Sequence, residues 1–395
     1  MALFGKYRIQ KGILIKYKGN DSSVEIPDTV IEIGDNAFKG NESITSVSIP
    51  PSVRKIGDFA FAGCSGLISV MLPDSVCSLG QSAFGGCVSL NTVYLSASLT
   101  ELSNYVFAGC SSLYQIEIPN TVLQIGEGAF SRCTSLAFIQ IPNAVRSVHE
   151  NAFSACENLT EIRIPASVTN ISAGAFSECR RLCNIFVDAE NAAYRDLGGI
   201  VFNKNLSNLV IFPAGKAIAR YAVPESVRVI ESGAFSGSDY LSEISISAHV
   251  AHIGASAFSG CESLIKITIP PAVTAIPANA FSNCIGLSSV ILPNTIAQIG
   301  NSAFEGCIRL RNIRLPEGVT FIGQNAFRGC AALASITVPT SVQQVGSSAF
   351  DGCDEVRFPK LKKGDRRFLS AQAGIKHIVE YAPSAMDKII GIFKK

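Results

Sequence analysis

Ile269-PPAVTAIPANAFSNCIGLSSV-Ile291 and Leu292-PNTIAQIGNSAFEGCIRLRNI-Arg314 follow one another in the chain and repeat one pattern. At an offset of 23 residues Pro270 falls on Pro293, Ile276 on Ile299, Phe281 on Phe304 and Cys284 on Cys307. The same Phe returns at Phe38, Phe61, Phe84, Phe107, Phe130, Phe153 and Phe176, and again at Phe235, Phe258, Phe327 and Phe350. A period of this length marks a solenoid, in which each coil buries its apolar face only against its neighbours.

Within a coil the apolar residues fall at strand spacing, as in Leu67, Val70 and Leu72, or Leu113, Ile116 and Ile118. A Pro usually follows (Pro50, Pro73, Pro119, Pro293), and without an N–H it ends the strand and turns the chain. A second extended stretch comes next, such as residues 53–56, and then a Gly at many coils (Gly57, Gly80, Gly126, Gly300). Pro277 shares that column, so the position is a tight turn without an obligatory left-handed conformation. The Ala-Phe pair behind it predicts a short helix on each coil, preceded by polar residues such as Asp35 and Asn301. The expected architecture is a repeat α/β solenoid, a right-handed superhelix with one short parallel strand per coil and the Phe column buried.

The apolar content of 47% with no Trp suits a long continuous core. Of 13 cysteines, those three residues after the spine Phe (Cys64, Cys87, Cys110 and their equivalents to Cys353) form a column. A column of one Cys per coil reads as small buried side chains in the reduced state, and no CxxC pair or His at ligand spacing suggests zinc. Asn41 and Ser238 replace Cys, each in the first regular coil after an irregular unit. The segmentation is therefore an N-terminal cap or hairpin unit over 1–27, repeats over 28–187, an irregular hairpin insertion over 188–224, repeats over 225–359, and a basic C-terminal segment over 360–395. Within the insertion, Gly199-IVFNKNLSNLVIF-Pro213 predicts two strands around Asn203-Lys204-Asn205.

The unit Pro-x-x-Val-x-x-Ile-Gly-x-x-Ala-Phe-x-Gly-Cys-x-x-Leu-x-x-Ile-x-Ile, nearly whole over 293–315 and 316–338, resembles the BspA-like leucine-rich-repeat family. The Gly-Ile-Val-Phe hairpin before Phe212-Pro213-Ala214-Gly215-Lys216 is similar to a unit of that family too. The resemblance covers roughly 5–358 and implies a bacterial interaction scaffold, often a surface protein that binds matrix proteins or cells. It implies no catalytic residue.

Met1-ALFGKYRIQKG has no apolar stretch of signal-peptide length, which predicts a cytoplasmic protein, with a cell-surface or secreted location as the alternative if a leader has been removed. Charge is concentrated at the ends: residues 1–20 hold five basic side chains and no acid, and residues 360–395 hold nine basic and three acidic ones. Such a distribution lacks the basic stripe of a nucleic-acid binder. In the tail, Phe368, Leu369, Ile375, Ile378 and Val379 predict a helix over 366–382, and Met386, Ile389, Ile390 and Phe393 a second one over 384–395. The expected role is a helical cap on the last coil, with membrane or partner contact through 384–395 as the alternative.

No GxGxxG, GKS/T, HExxH or GxSxG is present, so neither a catalytic residue, a cofactor nor a metal site is expected. His249 and His252 lack a third ligand, and Asp188, Glu190 and Asp196 lack a nucleophile. What remains is the sheet surface, where Met71, Tyr94, Tyr114, Phe138 and Phe186 alternate with buried strand positions. In the second block Arg309, Arg311 and Arg314 form a basic cluster. The expected function is a monomeric, non-enzymatic scaffold that holds a protein or peptide on this face. The alternative is a structural or adhesin-like module attached through its tail.

Overall fold

The computed structural model describes residues 2–359 and 377–381. The chain forms two compact units, Met1–Lys204 with Ile211–Lys216, and Asn205–Val210 with Ala217–Lys395. Both are leucine-rich-repeat solenoids, and every spine Phe is buried. In the first unit the rings from Phe38 to Phe176 stack with centroids 4.7–5.7 Å apart. In the second, those from Phe235 to Phe350 stack at 5.0–5.6 Å.

Most coils contribute two strands to two parallel ladders, not the one strand expected. The strands Ser23–Glu25, Ser46–Ser48, Ser69–Met71 and Thr92–Tyr94 pair in register, with Val47 opposite Val70 and Tyr94 opposite Met71. Two-residue strands after the Pro turn, such as Glu32–Ile33, Lys55–Ile56 and Ser78–Leu79, make the second ladder. The extended stretch at 53–56 thus ends in a strand, Lys55–Ile56, too short to show a period of two in the sequence.

No helix forms among the described residues, which corrects the short helix expected at Ala-Phe. In every regular coil the residue two before the Phe is left-handed, with φ between 52° and 68°, even where it is Phe59, Tyr105 or Asn151. The residue two after the Phe is left-handed as well, as at Gly86, Arg132 and Glu178. Two such residues four apart leave no run of right-handed dihedrals long enough to nucleate a helix. The chain instead makes successive i to i+3 turns, with the Cys64 N–H donating to Phe61 and the Leu67 N–H to Cys64. The Gly column differs: Gly57 and Gly80 lie outside the left-handed region. A Cβ on Gly57 would come within 2.7 Å of the Asp35 nitrogen, so the column admits close approach between coils.

The cysteine column does more than fill space. Cys64, Cys87 and Cys110 each donate Sγ–H to the carbonyl of the spine Phe one coil earlier, at 3.2 Å. Asn41, whose preceding coil is the cap, reaches the Gly19 carbonyl through Nδ2 at 3.0 Å and accepts from the Ser43 and Ile44 N–H groups. All thirteen cysteines are free.

The N-terminal cap is an antiparallel sheet of Ala2–Phe4, Tyr7–Gln10 and Ile13–Tyr17, whose last strand pairs in parallel with Glu32–Ile33. In the central insertion the expected strands form as Ile200–Asn203 and Asn208–Ile211. An unforeseen strand, Tyr194–Leu197, pairs antiparallel with the first of them through Gly198 and Gly199. At the other end His377–Tyr381 is a strand parallel to Glu355–Pro359, within the span expected to be helical. Its pairing satisfies backbone groups of Glu355–Pro359 that would otherwise form an open edge. The remaining residues of the expected cap, including the second helix over 384–395, lie outside the described residues.

Candidate ligand-binding face

The exposed side chains of the first ladder follow from strand alternation: Val93 is buried while Tyr94, next to it, is 58% exposed. Met71 lies directly beside Tyr94 in the register. Tyr94, Tyr114 and Phe138 then line one hollow of about 760 Å³ together with Asn91, Gln115, Glu117, Asn120 and Gln140. Phe138 also lines the next hollow, of about 430 Å³, with Phe186, Glu161, Arg163 and Asp188. All five expected apolar residues of the first block are therefore exposed on one stretch of the face.

The larger hollow sits where the first ladder lapses. The ladder ends at Thr92–Tyr94 and resumes at Glu161–Ile164, and between them only Gln115 and Phe138 bridge. The Leu72 N–H reaches the Tyr94 carbonyl at 2.9 Å, while among the described residues such a bond runs neither from Leu95 to Glu117 nor from Ile49 to Met71. The ring spine widens at the same coils: Phe84–Phe107 and Phe107–Phe130 are each 5.7 Å, against 5.3 Å for Phe130–Phe153. One buried residue of this coil departs from its column. Val106 stands where every other regular coil has Ala before the spine Phe, and it is fully buried. Its two extra methyl groups lie in the layer that Ala leaves to close packing in the other coils.

In the second unit Arg311 and Arg314 line a hollow of about 740 Å³ with Ser289, Ile291, Asn312 and Glu317. Arg309 is exposed but does not line it. The basic cluster is thus two residues with a carboxylate among them.

Among the acidic and histidine candidates, Asp188, Asp196 and His249 have structural partners. Asp188 accepts the Glu190 N–H, and Asp196 accepts those of Val187 and Gly199, so both carboxylates close turns. His249 lies 3.1 Å from Glu225. No group of three His, Cys, Asp or Glu side chains is placed to hold a metal among the described residues. Burial pushes the Cys110 and Cys179 thiols up to about 12 and Cys133 well above its ordinary value, which leaves them poor nucleophiles. The arrangement offers aromatic faces, carboxamides and single charges, which can bind but have no paired base and nucleophile.

What sequence reasoning missed is the opening itself. Its visible signal in the sequence is Val106, the one departure from a column that is otherwise Ala.

Comparison with known proteins follows the same lines. The BspA type leucine rich repeat region, in 6 copies, matches residues 15–136, 100–226 and 228–357. A leucine rich cell surface protein from Faecalibacterium prausnitzii is 28% identical over 98% of this chain and 95% of its own, with a TM-score of 0.70. A leucine-rich repeat protein from Bacteroides ovatus is 31% identical over 94% of this chain and 97% of its own, at 0.54. The pneumococcal vaccine antigen PcpA, 20% identical over 92% of this chain and 80% of its own, shares the fold at 0.51. No curated protein matches the chain. No helix among the described residues is long and apolar enough to cross a membrane. With the repeat matched across most of its length and the ring spine, thiol column and paired ladders in place, the chain belongs to the BspA type leucine-rich repeat family.

Proposed function

We propose that this protein is a non-enzymatic interaction module that holds a protein or peptide on its first ladder, gripped by Tyr94, Tyr114 and Phe138. The observation that carries this reading is the convergence of three exposed aromatic rings on one hollow of about 760 Å³. Exposed rings set together over adjacent coils supply the central apolar contacts on which interfaces depend. The similar Faecalibacterium prausnitzii protein is described as a cell surface protein, which favours work at the cell surface over the cytoplasm. The Arg311 and Arg314 hollow is the second place on the chain where a partner could sit.

Selection of a random peptide display library on the immobilised full chain tests the reading. Enriched peptides are expected, with binding weakened by about 1 kcal/mol or more in Tyr94→Ala/Phe138→Ala. Enriched peptides insensitive to that variant but lost in Arg311→Glu/Arg314→Glu would move the site to the second unit. Binding indifferent to both, in protein shown to be folded, would remove the sheet face from consideration.

A further inference from the structure

We infer that the opened hollow receives a lysine or arginine side chain from an extended basic peptide segment, and that buried Val106 holds the coils apart to admit it. The inference rests on the sheet-face reading and names the chemistry of its ligand.

The neighbouring hollow contains an internal template. There the Arg163 guanidinium lies 5.1 Å from the centre of the Phe186 ring and 3.5 Å from the Glu161 carboxylate. A cation between an aromatic face and a carboxylate is a favourable set, and the chain fills it with its own arginine. The larger hollow has the same ingredients without the cation. Tyr94 and Tyr114 present exposed rings, and exposed Glu117 makes no ion pair or hydrogen bond among the described residues. No Lys or Arg lines this hollow.

Charge decides between ligand classes. An acidic ligand would meet Glu117, and a purely apolar one would cover that carboxylate without pairing it, which costs free energy. A basic side chain satisfies the carboxylate and the rings together. Space favours a peptide over a lone cation, because about 760 Å³ exceeds one side chain.

Val106 is a positioning residue, since it is fully buried and cannot touch a ligand. Ala, the residue of all other regular coils, would let the coils close and the hollow narrow.

The test is fluorescence anisotropy with the labelled peptide acetyl-Ser-Arg-Ser-Arg-Ser-amide and its citrulline counterpart, on the full chain. The arginine peptide is expected to bind about fivefold tighter. Glu117→Gln should abolish that preference, and Val106→Ala, folded by circular dichroism, should weaken the arginine peptide about threefold or more. Equal binding of the two peptides, no binding of either, or a preference intact in Glu117→Gln overturns the basic-segment assignment. Equal binding that disappears in Tyr94→Ala/Phe138→Ala sinks the assignment alone and leaves the sheet-face reading standing. Binding of both that survives this double variant sinks the two together. A preference retained at full affinity in folded Val106→Ala removes Val106 from the proposal.

Discussion

The Cys133 thiol donates to the main-chain carbonyl of Phe107, 26 residues earlier and 3.2 Å away. That oxygen already accepts the Cys110 N–H at 3.1 Å, so one carbonyl closes the turn of its own coil and ties down the next. Replacement by Ala removes a second donor and leaves a small void. Cys133→Ala is expected to cost about 1–2 kcal/mol, read as a lower midpoint in urea under reducing conditions. An unchanged midpoint would mean the thiol is only filler.

Burial also makes the column chemically silent. Cys77 and Cys183 are exposed, and the other cysteines are buried. With dithionitrobenzoate at pH 8, two thiols should react at once, and the column only as the chain unfolds. Fast reaction of several column thiols in the folded protein would show that the coils open readily.

The same thiols predict a sharp alkaline limit. Burial raises Cys64 to about 11, and Cys110, Cys179 and Cys353 to about 12, from an ordinary value of 9.0. The unfolded chain therefore releases these protons first as pH rises. Stability is full below about pH 9 and falls above it, by up to about 1.4 kcal/mol per pH unit for each raised thiol until its folded value is reached. Circular dichroism in reductant should show unfolding well before pH 12, and Cys110→Ala/Cys179→Ala should shift that transition upward relative to the pH 7 stability. A flat profile to pH 11 would contradict the burial.

Phe130 lies between Phe107 at 5.7 Å and Phe153 at 5.3 Å, and its side chain is fully buried. Phe130→Ala is expected to cost about 3–5 kcal/mol through the cavity it leaves. Thermal and urea unfolding should both report the loss, and wild-type stability in the variant would mean that the ring stack carries little.

Ser302 is held at φ 52°. A β-branched residue is strained there, so Ser302→Val should cost about 1–2 kcal/mol while Ser302→Gly costs less. Equal unfolding midpoints for Val and Gly would show that the turn can relax.

The ring spine and the thiol column were legible because a strict offset of 23 residues admits one explanation. The left-handed pairs were not, since Phe59 and Tyr105 occupy them despite their bulk. Only the turn-by-turn hydrogen bonds between coils impose that conformation. At His377–Tyr381 the apolar pattern fits either period, and pairing with Glu355–Pro359 decides for a strand. For the candidate face, Tyr94 and Phe138 could be read as outward from alternation alone. Their meeting with Tyr114 could not, because Tyr114 is the residue right after buried Leu113 and outside the alternating series. The wider ring spacing at Phe107 depends on the distance between layers, which no single repeat encodes.

Equivalence between coils has a genetic side. Phe258, Phe281, Phe304 and Phe327 stack at 5.3, 5.3 and 5.2 Å, and each of the first three gives its carbonyl to the thiol above it. If misaligned recombination removed the codons for residues 282–304, Phe281 would be followed directly by Glu305 in an intact reading frame, with Phe258 on one side and Phe327 on the other. The surviving coils would meet neighbours equivalent to those they have now. A gene built this way can lose or gain whole coils in single events, so the length of the array is free to drift between lineages. Val106, which occurs once, would be inherited or lost with its coil as a unit.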